Sequence, residues 1–166
     1  MEYALQTVEQ IRSDAQRVLR HVLTHFSQNN DVTGSTAIAC NCDPNAASLY
    51  VFVACDDDEI FDDPWFWSGH LVEQECPSYE QPEWFAEFNE LNSLYISATD
   101  EDNSEYPKIE QYFNRILEGV SLALISIKSE LTTLQYPDNI KLAVMTEDDD
   151  DEKTMFERVE SLIDNK

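Results

Sequence analysis

Thr36-Ala37-Ile38-Ala39-Cys40-Asn41-Cys42, then Asp43-Pro44-Asn45, then Leu49-Tyr50-Val51-Phe52-Val53-Ala54-Cys55: this passage decides the fold. Two runs of small, β-branched and aromatic residues joined by a turn sequence predict an antiparallel β-hairpin. The second run is apolar on both faces, which predicts the more central position in a sheet. Upstream, Leu5, Val8, Ile11, Ala15, Val18, Leu19, Val22 and Phe26 recur at spacings of three and four, so residues 4–27 read as an amphipathic helix. Gln28-Asn29-Asn30-Asp31 ends it and Gly34 supplies a turn.

Downstream, Ser68–Val72 reads as a short strand or loop, and Pro82–Tyr95 as a helix with Pro82 near its first turn. The clearest helix runs from Ile109 to Leu131, with Tyr112, Phe113, Ile116, Leu117, Val120, Ala123, Leu124 and Ile127 on its stripe. Tyr136-Pro137-Asp138-Asn139 predicts a turn, Ile140–Thr146 a strand, and the rest a last helix carrying Met155, Phe156, Val159, Leu162 and Ile163. The order α-β-β-(β)-α-α-β-α implies one α+β domain over residues 1–166: a small, mainly antiparallel sheet packed by several helices.

The charge is unevenly placed. Of a net −24, residues 55–110 hold −16, with 17 Asp/Glu against one Lys, whereas residues 1–54 hold five acids against three Arg. An acidic field of this kind repels nucleic acid and anionic lipid and steers a basic protein. With 42% apolar and 11% aromatic residues, the chain is too rich for a disordered acidic tail. No apolar run reaches the ~20 residues of a membrane helix. The start, MEYALQTVEQIRSDAQ, has no signal-peptide pattern, so a cytoplasmic location is expected.

Catalytic and metal motifs are missing. There is no GxSxG, and three glycines cannot build a phosphate loop. His21 and His25 share one side of the first helix without an HExxH pattern, and His70 stands alone. Cys40 and Cys42 lie two apart in a strand rather than on a zinc knuckle, so with Cys55 and Cys76 they read as reduced cysteines. Asp100-x-Asp102-x-Ser104 opens like a calcium loop, but Glu105 replaces its glycine and Gln111 its final glutamate. The expectation is therefore no enzyme, no catalytic residue, no metal and no cofactor.

What remains is a segment where acid and aromatics alternate. Asp56, Asp57, Asp58, Glu59, Asp62 and Asp63 flank Trp65 and Trp67, and these eight residues are the candidate partner-binding site. In a strand Trp65 and Trp67 would face one side, offering aromatic anchors inside an acidic rim. The run Glu147–Glu152 is a second candidate, part of which serves to start the last helix. Core packing competes for the aromatics, including Tyr79, Trp84, Phe85 and Phe88.

Three stretches carry a resemblance: the acidic-aromatic helix Pro82–Tyr95, the long helix Ile109–Leu131, and Ile140-Lys141-Leu142-Ala143-Val144-Met145-Thr146 running into Glu147–Asp151. Through these the chain resembles bacterial domains found among the immunity proteins of polymorphic and contact-dependent toxin systems. The resemblance lies mainly in the second half, and Asp56–Asp63 has no counterpart in it. It implies a cytoplasmic protein of bacterial competition that binds and neutralises a toxin, such as a nuclease, without catalysis. No functional residue carries over. The composition alone also fits an acidic interaction or adaptor module without a toxin partner.

Overall fold

Thr7 opens the first helix. Its hydroxyl accepts from the Gln10 amide at 3.2 Å while the Gln10 side chain accepts from the Thr7 amide at 2.8 Å, a reciprocal cap. Helix α1 (Val8–Asn29) buries Ile11, Ala15, Val18, Leu19, Val22, Leu23 and Phe26, the expected stripe from Ile11 onward with Leu23 added, while Val8 is half-buried and Leu5 precedes the helix. In this computed structural model the described residues are 5–43, 48–68, 106–146, 149 and 151–165, with residues 90 and 93. The readings placed on Ser68–Val72 beyond Ser68, on Pro82–Tyr95 apart from Glu90 and Ser93, and on 100–105 lie outside them, as do His70 and Cys76.

Strands β1 (Ser35–Asp43) and β2 (Ser48–Cys55) form the antiparallel hairpin, in register from Ala37↔Ala54 to Asp43↔Ser48 after an irregularity near Ser35. Strand β3 (Lys141–Met145) lies parallel to β1, from Ala37↔Lys141 to Asn41↔Met145. The order is β2-β1-β3, a mixed sheet whose longer ladder is antiparallel, so the α+β class holds. One expectation is corrected: among the described strands β1, not β2, is central. Strand β2 is apolar on both sides for a different reason. The loop after it folds back, and Trp65 meets Tyr50 and Phe52 with ring centroids 5.6 and 5.0 Å apart.

Helix α2 (Tyr106–Leu131) packs with α1 against one face of the sheet. The helices approach closely at Gly119, where a Cβ would stand 2.6 Å from the Ile11 side chain. At their solvent edge Arg20 makes a two-pronged ion pair with Glu130 at 2.6 and 2.8 Å. A 3-10 turn (Thr132–Leu134) and Gln135 at φ 72° end α2 and bring in Tyr136, whose hydroxyl donates to the Leu23 carbonyl at 3.0 Å.

Helix α3 (Glu152–Asp164) follows β3 and packs along it. Val159 joins the core under α1 and α2, while Met155 and Phe156 join the cluster on the other face. That second cluster is floored by small residues, Ala37, Ala39, Ala54 and Ala143, and filled by Phe52 and Trp67. Arg158 donates to the Val144 carbonyl of β3. Among the described residues no helix is long and apolar enough to cross a membrane.

Candidate functional site

The acidic-aromatic segment is a folded loop pinned by one carboxylate. Asp58 accepts from the Cys55 amide at 2.7 Å, from the Ser68 amide at 3.0 Å and from the Ser68 hydroxyl at 2.8 Å. Its acceptor sites are spent on closing the loop. Within the loop Asp63 caps a 3-10 turn (Pro64–Phe66) by accepting from the Trp65 amide at 3.0 Å, with Pro64 in the first position, where a missing N–H costs nothing.

That turn separates the two tryptophans. Trp67 is 1% exposed and donates its indole N–H to the Glu59 carbonyl at 3.2 Å; it is a core residue. Trp65 is 48% exposed and Phe66 80%. A strand would have put Trp65 and Trp67 on one side, whereas the capped turn rotates one out and one in. Phe61 is also half-exposed and meets Phe156 edge-on at 5.6 Å.

The other candidate acids divide similarly. Asp56, Asp57, Glu59 and Asp62 are exposed, and the Asp56 carboxylate lies over Gly34. Asp63 is half-buried. From the second acidic run, Asp149 is bound by Arg158 at 2.6 and 3.2 Å and accepts from the Thr146 amide at 3.0 Å. Asp151 is the N-cap of α3, accepting from the Lys153 and Thr154 amides at 2.8 and 3.1 Å. Glu147, Asp148 and Asp150 lie outside the described residues.

One residue of the first acidic run, Asp63, meets the second run at a cleft of about 260 Å³, whereas Asp56 lines a separate hollow with Lys141 at the other end of β3. Asp63, Pro64 and Trp65 form one side, and Asp149, Asp151 and Glu152 with Met155 the other. Between them lie Asn41, Met145 and Thr146, at the end of the sheet where the parallel strands β1 and β3 finish. Sequence reasoning missed Asn41, Met145 and Met155 as site residues. The available signal was Asn41 itself, the one amide inside an apolar strand.

Cys40 and Cys42 form no disulfide and are buried on the helix-covered face, and burial pushes the Cys42 thiol up to about 12. His21 and His25 lie beside Arg17 and Arg20 on the outer side of α1. Among the described residues no three His, Cys, Asp or Glu side chains are grouped to hold a metal ion. Comparison with protein-family models, with curated proteins and with solved structures found no match.

Proposed function

We propose that this chain is a binding protein that neutralises a basic protein partner, an immunity protein against a bacterial toxin such as a nuclease. One observation carries the reading: Asp63 of the first acidic run and Asp149, Asp151 and Glu152 of the second line one cleft beside the half-exposed Trp65. Convergence of acid and aromatic side chains is what a partner surface needs, with charge for fast encounter and a ring for desolvated contact. Of the eight residues proposed from sequence, Asp56, Asp57, Glu59, Asp62, Asp63 and Trp65 would meet the partner. Asp58 and Trp67 would hold the loop that presents them.

Inhibition by an acidic surface needs no chemistry from this chain. Carboxylates set over the Lys and Arg that hold a nuclease's phosphate would exclude its substrate. The test is a pull-down with the tagged protein at low and moderate salt, followed by assay of the captured protein with and without its inhibitor. A stoichiometric basic toxin whose activity is blocked supports the reading. A captured protein with no toxic activity, or one unaffected by salt, removes it in favour of an adaptor role.

A further inference from the structure

Asn41 is at odds with its place. It is 1% exposed, and neither its carbonyl oxygen nor its amide nitrogen has a hydrogen-bond partner among the described residues. An unsatisfied buried polar group costs about 1–3 kcal/mol. Strand alternation places the side chain on the face of Ala37 and Ala39, level with Tyr50 on one neighbour and Met145 on the other. There it lines the cleft whose wall is Trp65 and whose rim carries Asp63, Asp151 and Glu152.

The chemistry of that cleft is selective. Asp149 is already matched by Arg158, but among the described residues Asp63 and Asp151 each use Oδ1 alone in capping. The remaining charge rejects phosphates and carboxylates. A volume of about 260 Å³ falls below the ~300–1,000 Å³ usual for small-molecule sites and suits a single side chain. Trp65, in edge contact with Tyr50 and Phe52, offers a ring to a cation. Met145 and Met155 add polarizable thioethers.

We propose that the cleft receives one arginine side chain of the protein partner, its guanidinium against Trp65, donating to Asn41 Oδ1 and to the rim carboxylates. Arginine fits better than lysine because its guanidinium is weakly hydrated, stacks on aromatic rings and presents five donors in a plane. The assignment rests on the proposed function and reverses the role first given to Trp65. The ring is the wall of a hole rather than a knob entering the partner.

The test is titration of the capped tripeptide acetyl-Gly-Arg-Gly-amide into ¹⁵N-labelled protein, following the Asn41 side-chain amide and the Trp65 indole N–H. The two signals should shift together and saturate in the millimolar range. Binding should weaken about tenfold or more when citrulline replaces arginine, and less steeply for lysine. Asn41→Leu and Trp65→Ala should each remove most of it. Asn41→Leu should also raise the Tm of the free protein, a pairing that a merely structural amide would not give. If that variant fails to fold, Asp63→Asn, which keeps a capping oxygen, carries the test and should weaken binding.

No saturable shift at Asn41, or citrulline binding as well as arginine, overturns the assignment. So does free arginine binding about tenfold tighter than the capped peptide, which would make the cleft an amino-acid site. The two proposals fail separately. Capped-arginine binding without a toxin partner keeps the cleft and removes the immunity reading. A toxin complex undiminished in Asn41→Leu and Trp65→Ala keeps the immunity reading and removes the cleft.

Discussion

The two faces of the sheet are built on opposite plans. On one, Ile38, Cys40, Cys42, Val51, Val53 and Val144 lie under α1 and α2, and the buried hydroxyls there are paired: Ser121 with the Leu117 carbonyl, Tyr136 with that of Leu23. On the other, four alanines form a shallow floor covered by Phe52, Trp67, Met155 and Phe156, and the orphaned Asn41 stands beside a half-exposed tryptophan. Close packing with satisfied polar groups is what stability selects. An unpaired amide and a ring held near solvent lower stability, and such concessions gather where a protein makes contact. The helix-covered face holds the fold; the other face presents a surface.

The sharpest way to break this contrast is to truncate the two neighbouring tryptophans. Trp67→Ala should cost about 3–5 kcal/mol of stability, because a fully buried ring leaves a cavity that its neighbours cannot close. Trp65→Ala should lower the Tm much less, losing two edge contacts worth about 0.5–1.5 kcal/mol each, and cost about 2 kcal/mol or more of partner binding. Thermal unfolding and titration calorimetry read the pair. Equal loss of Tm in both variants would mean that Trp65 is core as well, and the contrast would collapse.

On the helix-covered face the corresponding probe is Gly119→Ala. The added methyl would stand 2.6 Å from Ile11 Cγ2 and 3.2 Å from the Val8 carbonyl, so α1 and α2 must part. Overpacking of this kind costs about 1–3 kcal/mol, partly offset by the ~1 kcal/mol gained in helix propensity. Denaturant unfolding should show the net loss, and affinity for the partner should not change. A stabilised variant would show that the helix contact is looser than its geometry.

Much of the helix-covered face was legible in the sequence. Periodicity marked α1, α2 and α3, because their buried stripes repeat at short, regular spacing; β3 was found as a strand although it buries Leu142, Ala143 and Val144 in succession rather than in alternation. The position of β2 was not legible, since a doubly apolar strand looks the same whether covered by another strand or by Trp65 and Trp67. The split of those tryptophans depends on Asp63 capping a turn, a local competition that alternation cannot resolve. The cleft was least legible of all. Asp63 and Asp151 meet only through the β1–β3 pairing, a long-range event with no local signature.

Smaller effects divide the acids. Asp56→Ser with Asp57→Ser should slow association with the partner and flatten its salt dependence, leaving the Tm unchanged, because exposed charge acts at a distance and is screened over ~10 Å at 0.1 M salt. Asp58→Ser should instead lower the Tm, since three donors from Cys55 and Ser68 lose their acceptor. Stopped-flow association and thermal unfolding separate the two. An unchanged association rate in the double variant would remove Asp56 and Asp57 from the contact surface.

The smallest effect tests how well the helix-covered face is sealed. Burial is the main cause that pushes the Cys42 thiol up to about 12; Arg158 pulls it down and Asp149 raises it. An unfolded cysteine ionises near ~8.5, so the folded state favours the neutral thiol. The stability this contributes is fully present below about pH 8.5 and declines as pH rises toward the folded value. The thiolate is the reactive form. At pH 9, site-resolved alkylation should therefore find Cys42 reacting at the rate of global unfolding and half-buried Cys55 reacting faster. Rapid labelling of Cys42 in the native protein would mean that water reaches the strand beneath α1 and α2, and that the two faces differ less than their packing implies.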